Sequence, residues 1–406
     1  MKPGAGGVLV VAQAAPDLST AYARVGREVA VQLSNYRPVH LIGCHGNVAS
    51  EFTLAEDELR VPVHPYPWSY FDPGHMNQLA KTINAELCLY IGDAWPFARK
   101  LVMAAQEMPW IIHAPIDHVP LIGAEKVLAE NVAKWAAPTK WAADEIPGSK
   151  GVYVQHGVST ALTDSAAAVG TREDACKRLG WDPNVTRFLS VGGNVGDRKN
   201  LAGLIRAWKD AELKDSELVL WCYPTRDDSN PDGMDLIGAA TEMGITNIRF
   251  PDPYTVSVGY SDYDLGIVYK ACDALMQVSK TEGFGIPIAE AQAIGIPAIV
   301  PRYAPFLEVA GVRDINDPLT IELGAWELMQ LLGTAWMPTP YHKSIVQVLR
   351  HFKNHGIEPE EMKRRQSHSD RYQWSIAAVK LNKVIAAILA TKDLEIINEP
   401  IVAALE

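Results

Sequence analysis

Two carboxylates and a glycine-rich turn stand close together in the stretch Ser279–Pro297, and their types and spacing could hold a charged ligand. Glu282 precedes the turn Gly283–Gly285, and Glu290 follows it, eight positions after Glu282. A turn that opens a helix presents backbone N–H groups and the positive end of the helix dipole, and both bind phosphate. Carboxylates do not bind phosphate, so we expect Glu282 and Glu290 to accept hydrogen bonds from hydroxyls that flank a diphosphate. The pattern indicates a nucleotide sugar.

The elements that would position these residues can be predicted from the flanking sequence. The apolar run Ala274–Val278 predicts a short buried strand before the turn. Pro287 suits the first turn of a helix, and Gly295 suits its C-terminal cap. The stretch therefore predicts a strand, a glycine turn and a helix in succession.

A second glycine loop follows another apolar run, Phe188–Val191, and precedes residues with helical spacing that begin at Leu201. Backbone N–H groups and cationic side chains at a helix start can neutralise a diphosphate leaving group. The loop differs from a Walker A loop because Lys199 does not directly follow a glycine and is followed by Asn200. The residues that we predict to face the diphosphate here are Gly192, Gly193, Asn194, Arg198 and Lys199.

The run Glu282–Pro287, with Glu290-Ala291 and a closing Gly295-Ile296-Pro297, resembles the signature of retaining glycosyltransferases of family 4, which have the GT-B fold. The resemblance implies that Glu282 faces the donor sugar and that Glu290 holds the ribose hydroxyls. It also implies a basic pair on the second loop, in which Lys199 matches the family's lysine. The place of the family's arginine holds Gly193 or Asn194 here, so Arg198 either substitutes for that arginine or faces solvent. The turn residues implied to face sugar and phosphate are Gly283, Phe284, Gly285 and Ile286.

The implied fold is α/β, with two Rossmann-like parallel-sheet domains that face across a cleft and a C-terminal helix that crosses back to the first domain. Alternating apolar runs and helical stretches favour the same class. We place the acceptor-side domain at residues 1–163, the donor-binding domain at 164–372, and the crossover helix and tail at 373–406. A polar segment from Asp164 to Gly170 is interpreted as the linker.

Asp117 and His118 are the best candidates for polar chemistry in the first half, because they follow the predicted strand Trp110–Ile112. They could orient the attacking hydroxyl or assist its proton transfer. The alternative is a polar turn in which Asp117 caps a helix, whereas His113 is interpreted as structural. The aromatic segment His64–His75 could stack on a sugar or a base, or could be an ordinary surface loop.

Composition limits the class of protein. The 406 residues are 48% hydrophobic with a net charge of -11, and no apolar run reaches the roughly 18 residues of a membrane span. We therefore expect a cytoplasmic protein without a transmembrane segment, and the net charge does not favour a nucleic-acid acceptor. Five scattered cysteines without C-x-x-C spacing indicate free thiols. No pattern predicts a metal site, and no cofactor is expected beyond a UDP- or GDP-sugar as donor.

The predicted activity is transfer of a sugar from a nucleotide diphosphate sugar to an acceptor hydroxyl, with retention. The acceptor stays open among a glycan or lipid precursor, a small metabolite and a hydroxylated base. Three alternatives are another GT-B enzyme (a nucleotide-sugar epimerase or a phosphorylase), a noncatalytic nucleotide-sugar binder, and a purely structural turn. Gly283-Phe284-Gly285 with Ala289 and Glu308 also imitates a dinucleotide fingerprint, but several strands precede it, whereas that fingerprint normally follows the first strand.

Overall fold

The computed structural model describes residues 7–391, apart from positions 17, 19, 45–49, 57, 65, 67–70, 227–229, 253, 255–258 and 329–334. The chain divides into two compact units. The first unit comprises Met1–Gly157 and Gln373–Glu406, and the second comprises Val158–Tyr372. The sequence-based boundary at 163 lies six residues beyond this division.

The described strands of the first unit form one sheet in the order β3-β4-β2-β1-β5-β6-β7-β8. All neighbours pair in parallel except β3 and β4, which are antiparallel. Central strands such as β1 are almost completely buried, because parallel sheets are covered on both faces. The strands are β1 (Gly7–Ala12), β2 (Val39–Gly43), β3 (Phe52–Glu56), β4 (Leu59–His64), β5 (Ala85–Ile91), β6 (Trp110–His113), β7 (Lys134–Ala137) and β8 (Gly151–Tyr153).

Helices connect these strands, and their starts follow local capping signals. The Thr20 hydroxyl accepts the N–H of Ala23 at the start of α1, and Asp72 accepts the N–H of His75 at the start of α2. The final helix, α15, packs on α1 within this unit. The helices of the first unit are α1 (Ala21–Leu33), α2 (Pro73–Thr82), α3 (Ala98–Ala105), α4 (Gly123–Asn131), α5 (Lys140–Glu145) and α15 (Trp374–Ala390), with a 3₁₀ turn at Trp95–Phe97.

The second unit contains a parallel sheet in the order β11-β10-β9-β12-β13-β14 and a separate antiparallel hairpin of β15 and β16. β9 lies between β10 and β12, so the chain leaves β9 towards one side of the sheet and later returns to the other. The strands are β9 (Thr186–Val191), β10 (Ser216–Trp221), β11 (Ile248–Arg249), β12 (Ala274–Met276), β13 (Ala298–Pro301), β14 (Thr320–Ile321), β15 (Leu323–Leu328) and β16 (Trp336–Pro340).

The helices of the second unit surround its sheet, and apolar residues of α8 and α13 belong to the same core as β9 and β10. None of the helices in the described part of the chain has both the length and the apolar composition needed to cross a bilayer. The helices are α6 (Thr160–Ala168), α7 (Arg172–Leu179), α8 (Leu201–Ala211), α9 (Leu236–Glu242), α10 (Asp262–Lys270), α11 (Ile286–Ile294), α12 (Ala304–Val309), α13 (His342–His355) and α14 (Pro359–Ser369).

The structure differs from two sequence-based expectations, and a third concerns residues that it does not describe. The linker predicted from Asp164 is wrong, because most of it belongs to α6, whose small buried residues pack on α10. In the aromatic segment, Tyr66 and Phe71 are fully buried in the core, so they offer no stacking surface. Positions 65 and 67–70 of that segment and the tail from 392 lie outside the described residues.

The α6–α10 contact provides a test of this packing. A Cβ at Gly266 of α10 would lie 2.1 Å from Ser165 Oγ and 2.2 Å from the Leu162 carbonyl oxygen. We expect Gly266→Ala to lower the free energy of unfolding by about 1–3 kcal/mol, because backbone would have to move. Gly123→Ala is the matched control, since its Cβ meets nothing within 4 Å. Equal stability of the two variants in urea titrations would contradict this packing.

Candidate functional site

Two loops meet at the carboxyl end of the second sheet because β9 and β12 are neighbours. One runs from Gly192 to Asn200 after β9, and the other runs from Gln277 to Gly285 after β12. The Lys280 N–H donates to the Arg198 carbonyl oxygen at 2.8 Å, which joins the loops directly. In open parallel sheets, ligands bind at the carboxyl ends of strands where the strand order reverses, and β9 is that point here.

The glycine turn adopts the conformation that its composition predicts. Gly285 has φ +81° and is the N-cap of α11, and a Cβ there would lie 2.8 Å from Ile288 Cδ1. Pro287 lies in the first turn, and Gly295, with φ +92°, caps the C-terminus. The predicted turn and helix are therefore confirmed, and the turn requires glycine for both φ and space.

Backbone donors without acceptors lie at the start of α11. The N–H groups of Gly283, Gly285 and Ile286 donate no hydrogen bond to any residue that the structure describes. Gly283 and Gly285 are buried, and buried N–H groups are nearly always paired with an acceptor. The turn is therefore a cradle that an anion would complete, since the helix dipole adds positive potential at the same place.

Glu282 lies beside this cradle and binds both cations of the other loop. It accepts hydrogen bonds from Lys199 Nζ and from Arg198 Nη1, the latter at 3.2 Å. Gln277 Nε2 and Ser279 Oγ donate to the same carboxylate at 2.9 and 2.8 Å. The cluster places two positive side chains next to the open N–H groups.

The environment keeps Glu282 ionised. Burial alone would raise its pKa, but the charges of Lys199 and Arg198 and the hydrogen bonds from Lys199 and Ser279 outweigh burial and lower the pKa to about 2. The carboxylate therefore accepts hydrogen bonds at neutral pH and has no proton to give. This state suits contact with a hydroxyl group and excludes general-acid chemistry by Glu282.

Glu290 is held in the core of the second unit. Its side chain lies on α11, is 1% exposed, and accepts a hydrogen bond of 2.8 Å from the Tyr269 hydroxyl on α10. Phe284 is also buried, and its ring packs edge-on against Tyr372 with centroids 5.2 Å apart. The predicted contacts of Glu290 with ribose and of Phe284 with the donor stay predictions.

The Asn194 side chain holds the loop after β9 in place through hydrogen bonds to backbone groups. The Asn194 amide is 2% exposed, donates to the carbonyl oxygens of Tyr223 and Met234, and accepts the N–H of Met234. Its side chain therefore fixes the loop rather than facing a ligand. Gly192 and Gly193 lie at the partly exposed start of this loop.

A second cation, Lys280, ties three segments together. Lys280 Nζ donates to Asp197 in the loop after β9 and to Glu327 of the hairpin, the latter at 2.6 Å. The side chain is 4% exposed, whereas Asp197 lies at the surface. Lys280 therefore has a structural role, and Arg198 and Lys199 supply the cations that face Glu282.

In the first unit, His118 lies between two carboxylates. Its Nδ1 donates to Asp117 at 3.1 Å and its Nε2 donates to Glu125 at 2.9 Å, with His118 and Glu125 each 1% exposed. Burial alone would lower the pKa of His118, but the two carboxylates outweigh burial and raise it to about 9. His118 is thus an imidazolium with both nitrogens occupied, which leaves no lone pair for a base.

Asp117 is the accessible member of this cluster, with a side chain 23% exposed. It does not cap α4, which begins at Gly123 with Ile122 as its N-cap. At the end of the neighbouring strand β5, Asp93 accepts a hydrogen bond from Tyr22. Burial, the Asp93 contact and the Asp117 charge raise the pKa of Tyr22. Polar groups therefore gather at the carboxyl edge of the first sheet.

His113 fits the structural role expected from its position. It is 1% exposed, and one ring nitrogen lies 2.8 Å from the Ala136 carbonyl oxygen. Burial outweighs this bond and lowers the pKa of His113 to about 4. Among the described residues, no three His, Cys, Asp or Glu side chains form a group that could hold a metal ion.

Sequence reasoning missed the partners of the predicted residues. Tyr269, Gln277 and Ser279 hold the two glutamates, and Glu125 holds His118. Only Gln277 could have been identified from sequence, because it is the one polar residue in the apolar run Ala274–Val278. The other partners lie in ordinary helical or turn sequence and carry no local signal.

Comparison with known proteins places this geometry in context. Residues 252–314 match the family model "Glycosyl transferases group 1", and this segment contains the glycine turn and both glutamates. The D-inositol 3-phosphate glycosyltransferase of Actinosynnema mirum is 28% identical over 198 residues, which is 46% of this chain and 45% of that protein. The O-antigen chain mannosyltransferase B of Escherichia coli is 28% identical over 165 residues, which is 38% of this chain and 39% of that protein. The chain thus spans less than half the length of these relatives.

Solved structures match over nearly the whole chain. Sucrose-phosphate synthase from Thermosynechococcus elongatus has a TM-score of 0.73 at 13% identity and covers 96% of this chain and 100% of that chain. The chain has the GT-B fold. A structure of Anabaena HepE in complex with UDP and glucose has a TM-score of 0.62 at 13% identity, and the match covers 95% of this chain and 100% of that chain. The predicted fold class is therefore confirmed, whereas membership of family 4 stays a prediction.

The His118 cluster predicts a specific pH dependence of stability. A pKa raised from 6.5 to about 9 stabilises the folded protein fully below pH 6.5, and this contribution is lost as pH rises towards 9. We expect the difference in free energy of unfolding between the wild type and His118→Gln to shrink by about 3 kcal/mol over that interval. His355→Gln, at the exposed end of α13, is the control. A pH-independent difference for His118→Gln would show that the imidazole is neutral.

Proposed function

We propose that the protein is a glycosyltransferase that moves a sugar from a nucleoside diphosphate sugar to an acceptor hydroxyl. The observation that carries the proposal is the set of N–H groups at Gly283, Gly285 and Ile286 that donate to no residue the structure describes. Gly283 and Gly285 are buried, and the turn lies beside Lys199 and Arg198. Such an arrangement suits a diphosphate more than any uncharged ligand. The family match over the same residues and the GT-B fold support this reading.

Each charged group near the turn has a role in the proposed reaction. The bond between the anomeric carbon and the diphosphate oxygen breaks, and a bond forms from that carbon to the acceptor oxygen. Lys199, Arg198 and the turn N–H groups stabilise the negative charge that develops on the leaving diphosphate. The acceptor proton passes to a diphosphate oxygen, so no strong protein base is required. This course is consistent with retention, which we infer from the resemblance to family 4.

Glu282 and Glu290 act on hydroxyl groups in this proposal. Glu282 is ionised, so it accepts hydrogen bonds from sugar hydroxyls. Glu290 is proposed as the ribose contact, with Tyr269 fixing its carboxylate. The donor is proposed to be a UDP- or GDP-sugar, and the structural likeness to HepE, which was solved with UDP and glucose, favours testing UDP-glucose first.

The polar cluster of the first unit is proposed to serve the acceptor. Asp117 is the group that meets the acceptor hydroxyl, because it is the accessible carboxylate of its cluster. His118 and Glu125 are positioning residues, since both are buried and act through Asp117. His118, which the sequence suggested as a catalytic residue, is therefore proposed only to orient Asp117.

Nucleotide binding tests the donor site. We expect UDP or GDP to raise the melting temperature, because a ligand that binds only the folded state stabilises it. Lys199→Gln should weaken nucleotide affinity by about 10- to 100-fold, since it removes a charged donor from the diphosphate. Lys177→Gln is the control, because Lys177 is an exposed lysine paired with Asp174 on α7. If no nucleoside diphosphate binds in calorimetry, the proposal fails.

A variant at Asp117 tests the proposed acceptor role separately from donor binding. Asp117→Asn should lower the rate of sugar transfer by about 100-fold, because it removes the charge that orients the acceptor hydroxyl. Donor affinity should stay within about twofold, since the nucleotide site lies in the second unit. Asp144→Asn, an exposed aspartate on α5, is the control. Unchanged transfer by Asp117→Asn, measured as nucleotide release with an accepted sugar, would remove Asp117 from the mechanism.

A further inference from the structure

The antiparallel hairpin of β15 and β16 is separate from the parallel sheet of the second unit. Burial decreases along both strands towards the connection that joins them. β15 is partly exposed at Leu323 and exposed at Leu328, whereas β16 is exposed at Trp336 and buried at Pro340. The described strands therefore leave the body of the unit at one end and are exposed to solvent at the other.

The register of the hairpin gathers large apolar side chains on one face. Leu328 pairs with Trp336, and Trp326 pairs with Pro338. Directly paired residues share a face of a sheet, and so do residues two positions apart on a strand. Trp326, Leu328 and Trp336 are 46%, 46% and 45% exposed, and no other tryptophan that the structure describes is as exposed as these two. We call the face formed by these four residues the tryptophan face.

Polar side chains of the hairpin lie on the opposite face and already have partners. Glu327 stands between Trp326 and Leu328 in sequence and so points to the other side of the strand. It accepts hydrogen bonds from Thr339 Oγ1 at 2.7 Å and from Lys280 Nζ at 2.6 Å. The bonds from Lys280 and Thr339 lower the pKa of Glu327, which keeps it ionised. The tryptophan face itself carries no charged side chain.

Contacts at the base hold the hairpin on the second unit. The Tyr341 N–H donates to the Glu322 carbonyl oxygen at 2.7 Å, and the Glu322 N–H donates to Ser344 Oγ at 2.9 Å. The Trp326 ring packs edge-on against the Tyr303 ring, with centroids 6.0 Å apart. The tryptophan face is therefore presented by strands whose base is fixed to the unit.

Charge is also confined to the base of the hairpin. The sequence from Leu328 to Tyr341 contains no Asp, Glu, Lys or Arg, whereas Glu322 and Glu327 precede this run and Lys343 follows it. An element that is apolar at one end and charged at the other matches the change in polarity between lipid acyl chains and water. Tryptophan and tyrosine favour the boundary between those layers, because their rings are apolar and their N–H or O–H groups are polar.

Two other occupants fit this face less well. A sugar that leaves water needs hydrogen-bond partners for its hydroxyls, but Glu327 and Thr339 lie on the opposite face. An added protein strand needs N–H donors along the edge of the hairpin, and β16 contains Pro338 and Pro340, which have none. An exposed apolar patch of this kind suits a lipid surface better.

We propose that the tryptophan face binds the surface of a phospholipid bilayer. Leu328 enters the outer acyl layer, and the indoles of Trp326 and Trp336 lie at the level of the headgroups. Affinity comes from the apolar area that leaves water, and it requires no anionic lipid because the face is uncharged. The contact is peripheral and crosses no part of the membrane. It does not depend on the proposed sugar transfer, since lipid binding needs neither donor nor acceptor.

Flotation of the full chain with phosphatidylcholine vesicles tests the proposal. We expect the wild type to float with the vesicles and Leu328→Ser/Trp336→Ser to lower the partition coefficient by about tenfold or more. This pair leaves Trp326 and its packing contact intact. Met103→Ser/Ile315→Ser is the matched control, because these side chains are 60% and 57% exposed elsewhere and should not affect partitioning. Equal melting temperatures of the variants and the wild type would show that all are folded.

Tryptophan fluorescence gives a second readout of the same contact. Brominated phosphatidylcholine quenches indoles that lie in the bilayer, so it should quench the wild type more than Trp336→Phe, a variant that keeps an apolar ring.

Three results would overturn the proposal. One is equal flotation of the wild type and Leu328→Ser/Trp336→Ser, and another is flotation that occurs only when the vesicles contain phosphatidylserine, which would indicate attraction through cations elsewhere. The third is a wild type that does not float but forms a dimer that the double variant loses in sedimentation velocity. That result would assign the tryptophan face to a second copy of the chain.

Discussion

The ion pairs of Glu282 with Lys199 and Arg198 are the contacts on which the geometry of the second unit's site depends. They join the loop after β9 to the loop after β12, and the backbone bond from Lys280 to Arg198 repeats the connection. Because the two strands are neighbours in the sheet, a short pair of contacts is sufficient to fix both loops. The open N–H groups of the turn are thereby held beside the cations, and that juxtaposition underlies the proposed activity.

Buried charge is handled differently in the two units. In the second unit the anionic Glu282 is matched by two cations, whereas in the first unit the cationic His118 is matched by two carboxylates. In both clusters the partners outweigh the cost of burial, and each central group stays ionised at neutral pH. Each cluster therefore fixes a charge in place instead of titrating near neutrality. Fixed charges of this kind suit a reaction whose charge develops on the substrate itself.

Much of the site could be predicted from sequence because its signals are local. The turn at Gly283–Gly285, the helix after it and the cap at Gly295 follow from residue types within one short stretch. The partners could not be predicted, because Lys199 and Glu282 are 83 positions apart and Tyr269 and Glu290 are 21 apart. Such contacts depend on sheet order, which periodicity does not encode. The segment from Asp164 was misread for another reason: alanine and serine suit a linker, but here they allow close helix packing.

The pairing of Lys199 with Glu282 has a consequence for which anions can enter. The resting protein already carries its own counter-ion at the mouth of the cradle, so an incoming anion competes with a carboxylate that cannot diffuse away. A small monovalent ion such as chloride would gain one contact with Lys199 but would have to displace the stronger contact between Lys199 and Glu282. A polyanion that also reaches the turn's N–H groups gains several contacts at once. At the proposed donor site we therefore expect the Glu282 carboxylate to disfavour the binding of small salt ions and to favour multiply charged ligands.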